Sequence, residues 1–218
     1  MKNKLFTIGH SNLDIKDFVS LLIQHNVTAL ADVRSSPYSR YLPHFNRENL
    51  KNVLLNSGIK YVFLGEELGA RTKDESCYVE GKAVYENIAQ TQLFAQGIER
   101  INKGLQDYNI ALMCAEKDPI TCHRAVLVCR HLKVSLLNIN HILQNGDLEP
   151  HDNLEKRLLE IHNLDQSQKE TTVQLSLFDH NSAQTPVPTL SPEEALKEAY
   201  RKQGDKIAYV EKNYAKKH

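Results

Sequence analysis

The chain has 218 residues, of which 41% are hydrophobic, and its 27 Lys and Arg residues balance its 27 Asp and Glu residues. This length predicts one sizeable domain with appendages and excludes two full domains. The zero net charge excludes a global basic field, so any binding to nucleic acid must use local patches. Neither an apolar signal segment nor a run of about 18 apolar residues is present, which predicts a cytoplasmic protein without membrane contact.

Apolar runs alternate with amphipathic stretches along the first two thirds of the chain. The predicted strands are Leu5–Ile8, Ala29–Val33, Lys60–Leu64, Asn109–Cys114 and Val134–Ile139. The predicted helices are Leu13–Gln24, Leu50–Leu55, a long helix with its apolar stripe from Val84 to Leu105, Ala125–Leu132 and Leu154–Ile161. This order favours right-handed crossovers between parallel strands. We therefore predict an α/β fold with a mostly parallel sheet of about five strands and helices on both faces.

The composition changes after the predicted α/β domain, which we place at residues 1–163. Residues 164–192 are predicted to form a flexible linker, because this stretch is polar, carries three of the chain's prolines near its end and has no periodicity. Pro192 can serve as the first residue of a helix, so residues 193–218 are predicted to form a basic C-terminal helix that extends to about Tyr214.

Polar residues follow the ends of the predicted strands, where open parallel sheets bind their ligands. The catalytic candidates are His10, Asp32, Arg34, Glu116 and Cys114, and those suited to general acid/base chemistry are Asp32, Glu116, His10 and His123. The candidates for binding an anion or substrate at these strand ends are Ser11, Asn12, Ser36 and Arg71. Charged residues this close to strand ends need partners, so Asp32 can also form an ion pair with Arg34 or Arg71. Their convergence at one sheet edge predicts a functional site.

A second candidate region opens the helix that follows the fourth strand. Thr121 is predicted to cap this helix, with Pro119 forming the turn before it. Free backbone N–H groups at a helix start, together with His123 and Arg124, suit an anion such as a phosphate. The alternative is that Thr121 only caps the helix.

The four cysteines in a chain of this length do not suggest a disulfide framework. A metal site made of Cys114, Cys122 and His123 requires a fourth group, such as His10 or His44, and the spacing matches no strong zinc pattern. We therefore predict neither a metal nor another cofactor. A nucleophilic Cys114 is the other alternative, although a nearby carboxylate such as Glu116 raises the pKa of a thiol.

Several motifs together resemble a bacterial family known as domain of unknown function 488. They are Thr7–Asn12, Asp32–Pro37 with Ser39 and Phe45, Leu68–Arg71, Met113–Glu116 and Cys122–Arg124. The resemblance covers roughly residues 3–151 and implies an α/β domain in which these motifs converge, without implying an established reaction. It leads us to expect a second glycine where this chain has Ala70.

The segment Gln174-Leu175-Ser176-Leu177-Phe178 resembles the pentapeptide with which bacterial polymerases and repair proteins bind the DNA sliding clamp. In such a peptide Leu175, Leu177 and Phe178 fill apolar pockets while Gln174 makes directional hydrogen bonds. The alternative is that Leu177 and Phe178 fold back into a groove of the same chain. The terminal helix, with basic residues and three tyrosines, is either a solvated face or a contact for DNA.

These observations lead to one expected function and two alternatives. We expect a bacterial enzyme that acts on DNA or a nucleotide-like group in replication or repair, recruited by the sliding clamp. Cleavage of a glycosidic bond suits its carboxylates. The alternatives are a non-enzymatic nucleic-acid-binding adaptor on the clamp, and a thiol-dependent transferase or phosphatase that uses Cys114.

Overall fold

The computed structural model describes residues 4–133, 138–165 and 190–211. The strands are β1 (Leu5–Gly9), β2 (Ala29–Asp32), β3 (Lys60–Phe63), β4 (Tyr78–Val79), β5 (Lys82–Ala83), β6 (Ile110–Cys114), β7 (Ile139–Ile142) and β8 (Leu148–Pro150). The α-helices are α1 (Ile15–Gln24), α2 (Arg47–Asn56), α3 (Gly65–Leu68), α4 (Tyr85–Ala89), α5 (Gln92–Gly104), α6 (Arg130–Lys133), α7 (His151–Ile161) and α8 (Pro192–Ile207).

Six of these strands form one sheet in the order β3-β2-β6-β1-β7-β8, and only β8 runs antiparallel to its neighbour. The predicted α/β fold with a mostly parallel sheet is therefore confirmed, with six strands rather than about five. The predicted fifth strand lies later than expected, at Ile139–Ile142, and residues 134–137 lie outside the described residues. Because Gly9 pairs with Cys114 and Asp32 with Met113, the carboxyl ends of β1, β2 and β6 lie side by side.

The sheet separates two hydrophobic clusters, as expected for strands whose side chains alternate between faces. One face carries Phe6, Leu30 and Met113 and packs against α1 and α2. The other face carries Leu112 and Cys114 and packs against α5, α7, α8 and a π-helical turn at Arg124–Cys129. A residue's position along its strand therefore decides which layer of the protein it enters.

Three predicted elements differ from the structure. The long helix predicted around Val84–Leu105 is two helices, because the Thr91 side chain accepts a hydrogen bond from the Phe94 N–H and starts α5 anew. The helix predicted from Ala125 begins with the π-helical turn. The terminal helix ends at Ile207 rather than near Tyr214, because Tyr209 and Val210 instead pair with β5.

Helix α8 begins as the sequence predicts, with Pro192 at its first position and a capping box between Ser191 and Glu194. It packs against α7 and buries Tyr200 and Gln203, and the Gln203 side chain donates to the carbonyl of Ile120 at 2.8 Å. This helix thus shares the core of the α/β domain. The segment from Gln174 to Phe178 lies outside the described residues. Nowhere in the described ranges is a helix long and apolar enough to span a membrane.

Candidate functional site

A cavity of about 200 Å³ opens at the carboxyl edge of β2 and β6. Of the residues singled out in the sequence, its lining includes Arg34, Ser36, Arg71, Cys114, Glu116, Thr121 and His123. The lining does not include His10, Ser11, Asn12, Asp32 or Arg124. The volume is below the roughly 300–1,000 Å³ of pockets that enclose drug-sized ligands, so the cavity suits a small group or one end of a larger substrate.

Asp32 is fully buried behind the cavity, and two neighbouring side chains donate hydrogen bonds to its carboxylate. Its carboxylate accepts hydrogen bonds from Arg34 Nε at 2.9 Å and Nη2 at 2.7 Å, and from the Tyr61 hydroxyl at 2.8 Å. Arg34 Nη2 also donates to the carbonyl of Phe45. The ion pair predicted between Asp32 and Arg34 is thus present, and it holds Arg34 in the cavity wall.

His10 lies against this ion pair rather than in the cavity. Its ring stacks on Phe45 with centroids 4.2 Å apart, its Nδ1 lies 2.9 Å from the carbonyl oxygen of Ser11, and its Nε2 lies 3.3 Å from Arg34 Nη1. Burial and the adjacent Arg34 charge lower the pKa of His10 to about 4. A neutral ring that donates from Nδ1 and accepts from Arg34 satisfies both contacts, which makes His10 a support for Arg34.

The cavity floor brings four side chains of thiol, carboxylate and imidazole type together. The ligand-type atoms of Cys114, Glu116, Cys122 and His123 all lie within 4.8 Å of one another. His123 Nδ1 is 3.7 Å from Cys114 Sγ and 3.9 Å from Cys122 Sγ, and Cys122 Sγ is 3.0 Å from Glu116 Oε2. His10 and His44, considered from the sequence as a fourth group for Cys114, Cys122 and His123, are not part of this cluster.

Local structure explains how the ten residues from Cys114 to His123 close this cluster. Cys114 ends β6, and Asp118 then caps a short 3-10 turn at Pro119–Thr121 by accepting from the Ile120 N–H. The prediction that Thr121 caps the next helix is wrong, because its hydroxyl donates to the Asp118 carbonyl instead. The π-helical turn instead follows His123, which makes no side-chain capping bond, while the Cys122 sulfur accepts from the backbone N–H of Arg124 at 3.4 Å.

The two thiols of the cluster have opposite electrostatic settings. Burial alone would raise the pKa of Cys122, but a hydrogen bond from Cys114 and the charges of Arg124 and His123 outweigh it and hold this pKa well below its usual range. The hydrogen bond to Cys122, burial and the charges of Cys122 and Glu116 hold the pKa of Cys114 well above its usual range. The influence of Glu116 on Cys114 has the direction that the sequence predicts. These contacts favour a negative charge on Cys122 over one on Cys114.

The other two members respond to that charge. Burial alone would lower the pKa of His123, but the adjacent Cys122 charge raises it overall. Desolvation and the Cys122 charge raise the pKa of Glu116. His123 Nε2 lies 3.0 Å from the carbonyl oxygen of Val33, so its N–H points away from the sulfurs when Nε2 carries the proton. The cluster is thus a strongly coupled set of proton-exchanging groups.

Arg124 is fully buried beneath the cluster. Its Nη1 donates to the Glu116 carbonyl at 2.8 Å, its Nη2 to the Lys117 carbonyl at 3.2 Å and its Nε to the Thr7 hydroxyl at 3.3 Å. The guanidinium therefore fixes the loop that carries Glu116, and the predicted direct contact of Arg124 with an anion has no support from its position.

The opposite wall of the cavity comes from the loop after β3 and the segment after α8. The Ser35 hydroxyl accepts from the Arg71 N–H at 2.9 Å, and the Arg71 guanidinium lies 4.6 Å from the centre of the Tyr209 ring. Ser36 stands on the same rim and is exposed. Arg34 and Arg71 thus place two cationic side chains around one small opening.

The polar lining residues that the sequence did not single out for the site are Ser35, Tyr85 and Tyr209, whereas Cys122 was considered only as a metal ligand. Cys122 carried a local signal, since it directly precedes His123 and Arg124 at the start of a helix. Tyr85 and Tyr209 carried none, because long-range packing of α4 and the segment after α8 brings them to the cavity.

Two backbone features shape the loops around the site. A side chain on Gly9 would overlap the backbone oxygen of Glu116, so only glycine lets the loop after β6 cross the end of β1. Ser11 adopts a positive φ of 45°, a strained conformation for a residue with a side chain. Ala70, where the resemblance implied glycine, is not among the described residues with positive φ, so its methyl group imposes no such strain.

Fold and site together define a parallel α/β domain with a thiol–carboxylate–imidazole cluster at the carboxyl edge of its sheet. The family model Domain of unknown function DUF488 matches residues 14–130, which is just over half of the chain. The chain therefore belongs to this family, as the motifs indicated. No curated protein and no solved structure matches the chain.

Proposed function

We propose that this protein is a hydrolytic enzyme that acts on an anionic, nucleotide-like group. The observation that supports this most directly is the cluster of Glu116, Cys122 and His123 on the floor of a small cavity whose wall carries Arg34 and Arg71. Groups that exchange protons and groups that hold an anion thus face the same opening, which is the arrangement that a site for hydrolysis requires.

Each part of the cavity has a role in the proposed reaction. Arg34 and Arg71 hold the anionic part of the substrate, with Ser36 as a hydrogen-bonding partner. Glu116 accepts a proton from the attacking water and returns it to the leaving group, so that water is split across the substrate bond. Asp32 and His10 orient Arg34 and do not touch the substrate in this proposal, which moves the acid/base role from the predicted pair of carboxylates to Glu116.

The experiment is a product screen with the full chain. Nucleotides and single-stranded oligonucleotides with intact or damaged bases are incubated with the protein, and new products are identified by mass spectrometry. We expect Glu116→Gln to lower turnover by about 100-fold or more, whereas Glu99→Gln, an exposed glutamate on α5, leaves turnover unchanged. Full activity of Glu116→Gln contradicts the role of Glu116. Saturable binding without any product favours the adaptor.

A second candidate function is thiol-dependent group transfer, with Cys122 in place of the predicted Cys114. It is favoured by the hydrogen bond from the Arg124 N–H to Cys122 Sγ and by the imidazole of His123 beside the same sulfur. Alkylation of the protein distinguishes the two candidates. A thiol-dependent enzyme forms a covalent intermediate on Cys122 that mass spectrometry detects and alkylation prevents. The hydrolytic proposal predicts no such intermediate.

We also propose that the sliding clamp recruits this protein through Gln174, Leu175, Leu177 and Phe178. All five positions of the segment fit the clamp-binding pentapeptide, and this sequence match is the support. The test is binding of the purified chain to a bacterial sliding clamp. We expect Leu177→Ala/Phe178→Ala to lose most of the affinity, since buried apolar anchors dominate such contacts. The matched variant Val173→Ala/Val187→Ala should bind like wild type, and equal binding by both double variants contradicts the proposal.

A further inference from the structure

We infer that Cys114, Cys122, His123 and Glu116 form a zinc site at the floor of the cavity. The inference departs from the sequence expectation of no metal, because the fold supplies the missing fourth group. Two thiolates, an imidazole and a carboxylate are the ligand types that zinc takes in proteins. One part of the inference rests on the proposed function. That part is the role of the metal, which would activate the water whose proton Glu116 accepts.

The spacing of the cluster, whose ligand atoms all lie within 4.8 Å of one another, is near that of a four-coordinate ion and closes onto it with small side-chain shifts. Around zinc, with Zn–S near 2.3 Å and Zn–N near 2.0 Å, neighbouring ligand atoms of a tetrahedron lie roughly 3.5–3.8 Å apart. The separations of 3.7 and 3.9 Å between His123 Nδ1 and the two sulfurs are close to this edge length. The shorter 3.0 Å between Cys122 Sγ and Glu116 Oε2 requires the carboxylate, which is on an exposed loop residue, to shift slightly.

The orientation of His123 supports the same conclusion. Its Nε2 faces the carbonyl oxygen of Val33 at 3.0 Å, which fixes the proton on Nε2 and directs the lone pair of Nδ1 at the sulfurs. Metal-binding histidines commonly donate their other ring N–H to a carbonyl or carboxylate, because this contact sets tautomer and ring angle. Val33 directly follows β2, so this contact comes from the rigid sheet.

The charges also balance when a divalent cation is present. Two thiolates and one carboxylate carry three negative charges, and the two sulfurs belong to residues only 3% and 1% exposed. Zinc supplies two positive charges, and the buried guanidinium of Arg124 beneath the cluster supplies the third; its Nη1 donates to the backbone carbonyl of Glu116, and the backbone N–H of the same residue donates to Cys122 Sγ. Without a divalent ion, three like charges at this distance repel each other and cannot all be ionised.

Exposure assigns different roles to the four ligands. Cys114, Cys122 and His123 are buried, whereas Glu116 is exposed on the cavity side. Cys114, Cys122 and His123 would hold the ion permanently, and Glu116 would fill the fourth position only until water or substrate displaces it, which frees its carboxylate for the acid/base role. Zinc lowers the pKa of a bound water to about 7, which makes it a nucleophile near neutral pH.

The first experiment measures metal binding without any substrate. The reduced full chain is stripped of metal and titrated with Co²⁺ and then with Zn²⁺. We expect one Co²⁺ per chain with thiolate-to-cobalt charge-transfer absorption, which Zn²⁺ displaces. Cys122→Ser should weaken metal affinity by more than about 100-fold, whereas Cys129→Ala, which changes a buried cysteine of the following π-helical turn outside the cluster, should bind like wild type.

The outcomes separate this inference from the proposed function. Failure of the wild-type chain to bind Co²⁺, or binding without the charge-transfer band, overturns the zinc site even if Cys122→Ser does not fold. Turnover by the metal-free chain overturns the role of the metal as activator of the water and leaves the hydrolytic proposal intact. Stoichiometric binding through the thiolates supports the zinc site, and the product screen then tests the reaction separately.

Discussion

Two buried arginines, Arg34 and Arg124, lie close to the cavity, and they differ in whether a carboxylate neutralises their charge. Arg34 is paired with the carboxylate of Asp32, so the pair is neutral as a unit. The side-chain partners of Arg124 are the carbonyls of Glu116 and Lys117 and the hydroxyl of Thr7, none of which carries a charge. The charge of Arg124 therefore remains uncancelled by its immediate partners and acts on the thiol cluster, consistent with its lowering effect on the pKa of Cys122.

The comparison teaches that burial alone does not define what an arginine does. A guanidinium that is held by a carboxylate forms part of the cavity wall. Removing either partner of such a buried pair strongly destabilises the fold. A guanidinium fixed by carbonyls holds loops together and in addition provides a positive field in a region of low dielectric. The same residue type thus supports the shape of the cavity on one face of the sheet and its chemistry on the other.

The largest expected effect comes from breaking the ion pair. Asp32→Asn should lower the free energy of unfolding by about 3–5 kcal/mol, because it leaves the buried charge of Arg34 without its counter-charge. Urea denaturation measures this change. The matched variant Glu198→Gln removes one partner of an exposed pair with Arg201, so it should cost less than about 1 kcal/mol. Equal effects of the two variants would show that Asp32 and Arg34 do not act as a buried pair.

A smaller loss is expected at the other arginine. Arg124→Met should lower the free energy of unfolding by about 2–4 kcal/mol, because the carbonyls of Glu116 and Lys117 lose buried hydrogen-bond donors while the cost of burying a charge disappears. Arg124→Lys keeps the charge but not the forked geometry, and it should fall between Arg124→Met and wild type in the same urea titration. A loss for Arg124→Met greater than that for Asp32→Asn contradicts the comparison of the two arginines.

The sequence predicted the sheet well because the pattern of apolar runs is local. Strand β8 (Leu148–Pro150) was missed, since it has no apolar run of its own and exists only by pairing with β7. The break between α4 and α5 was also missed, although Thr91 is a residue type that starts helices. Where the pattern depended on neighbours in space rather than in sequence, prediction failed.

The cavity lies at the sheet edge where the sequence placed its candidate residues, but those candidates divide between the two faces of the sheet. Asp32 shares its face with Leu30, two residues earlier, and Cys114 shares the opposite face with Leu112. The period of two in a strand separates these residues, and this could have been read from their positions once the strand pairing was known. Pairing across the sheet is set by topology, which a single sequence does not display. The loop that returns Cys122 and His123 to Cys114 was likewise invisible in their spacing.

A buried histidine near Arg124, His141, makes the stability depend on pH. Burial first, and then the charges of His151, Arg124 and Arg157, hold the pKa of His141 well below its usual range, while its Nδ1 lies 2.8 Å from the Thr7 hydroxyl. The unfolded chain takes up a proton at this residue below about pH 6.5 and the folded chain does not. Its contribution to stability is therefore complete above pH 6.5 and is lost as the pH falls below it.

We accordingly expect the free energy of unfolding of wild type to fall more steeply with decreasing pH than that of His141→Gln. The difference in slope should approach about 1.4 kcal/mol per pH unit between pH 6 and 5. Urea titrations at several pH values measure both slopes, and every other histidine is common to the two proteins. Parallel slopes would show that His141 is protonated equally in the folded and unfolded chains.

The smallest effect is expected at Arg71, the exposed arginine of the cavity. Its side chain should contribute to anion binding but not to the free energy of unfolding. Arg71→Gln should leave the free energy of unfolding within about 0.5 kcal/mol of wild type and weaken the binding of inorganic phosphate about three- to fivefold, because one partly solvated charge contact is lost. Isothermal titration calorimetry measures the affinity.

Arg47→Gln is the matched control, since Arg47 also lies over an aromatic ring, that of Phe63, but outside the cavity. Arg71→Lys should retain most of the affinity because the charge remains. If Arg71→Gln and Arg47→Gln weaken phosphate binding equally, the anion does not bind between Arg34 and Arg71. The ion pair of Asp32 and Arg34 then has a structural role alone.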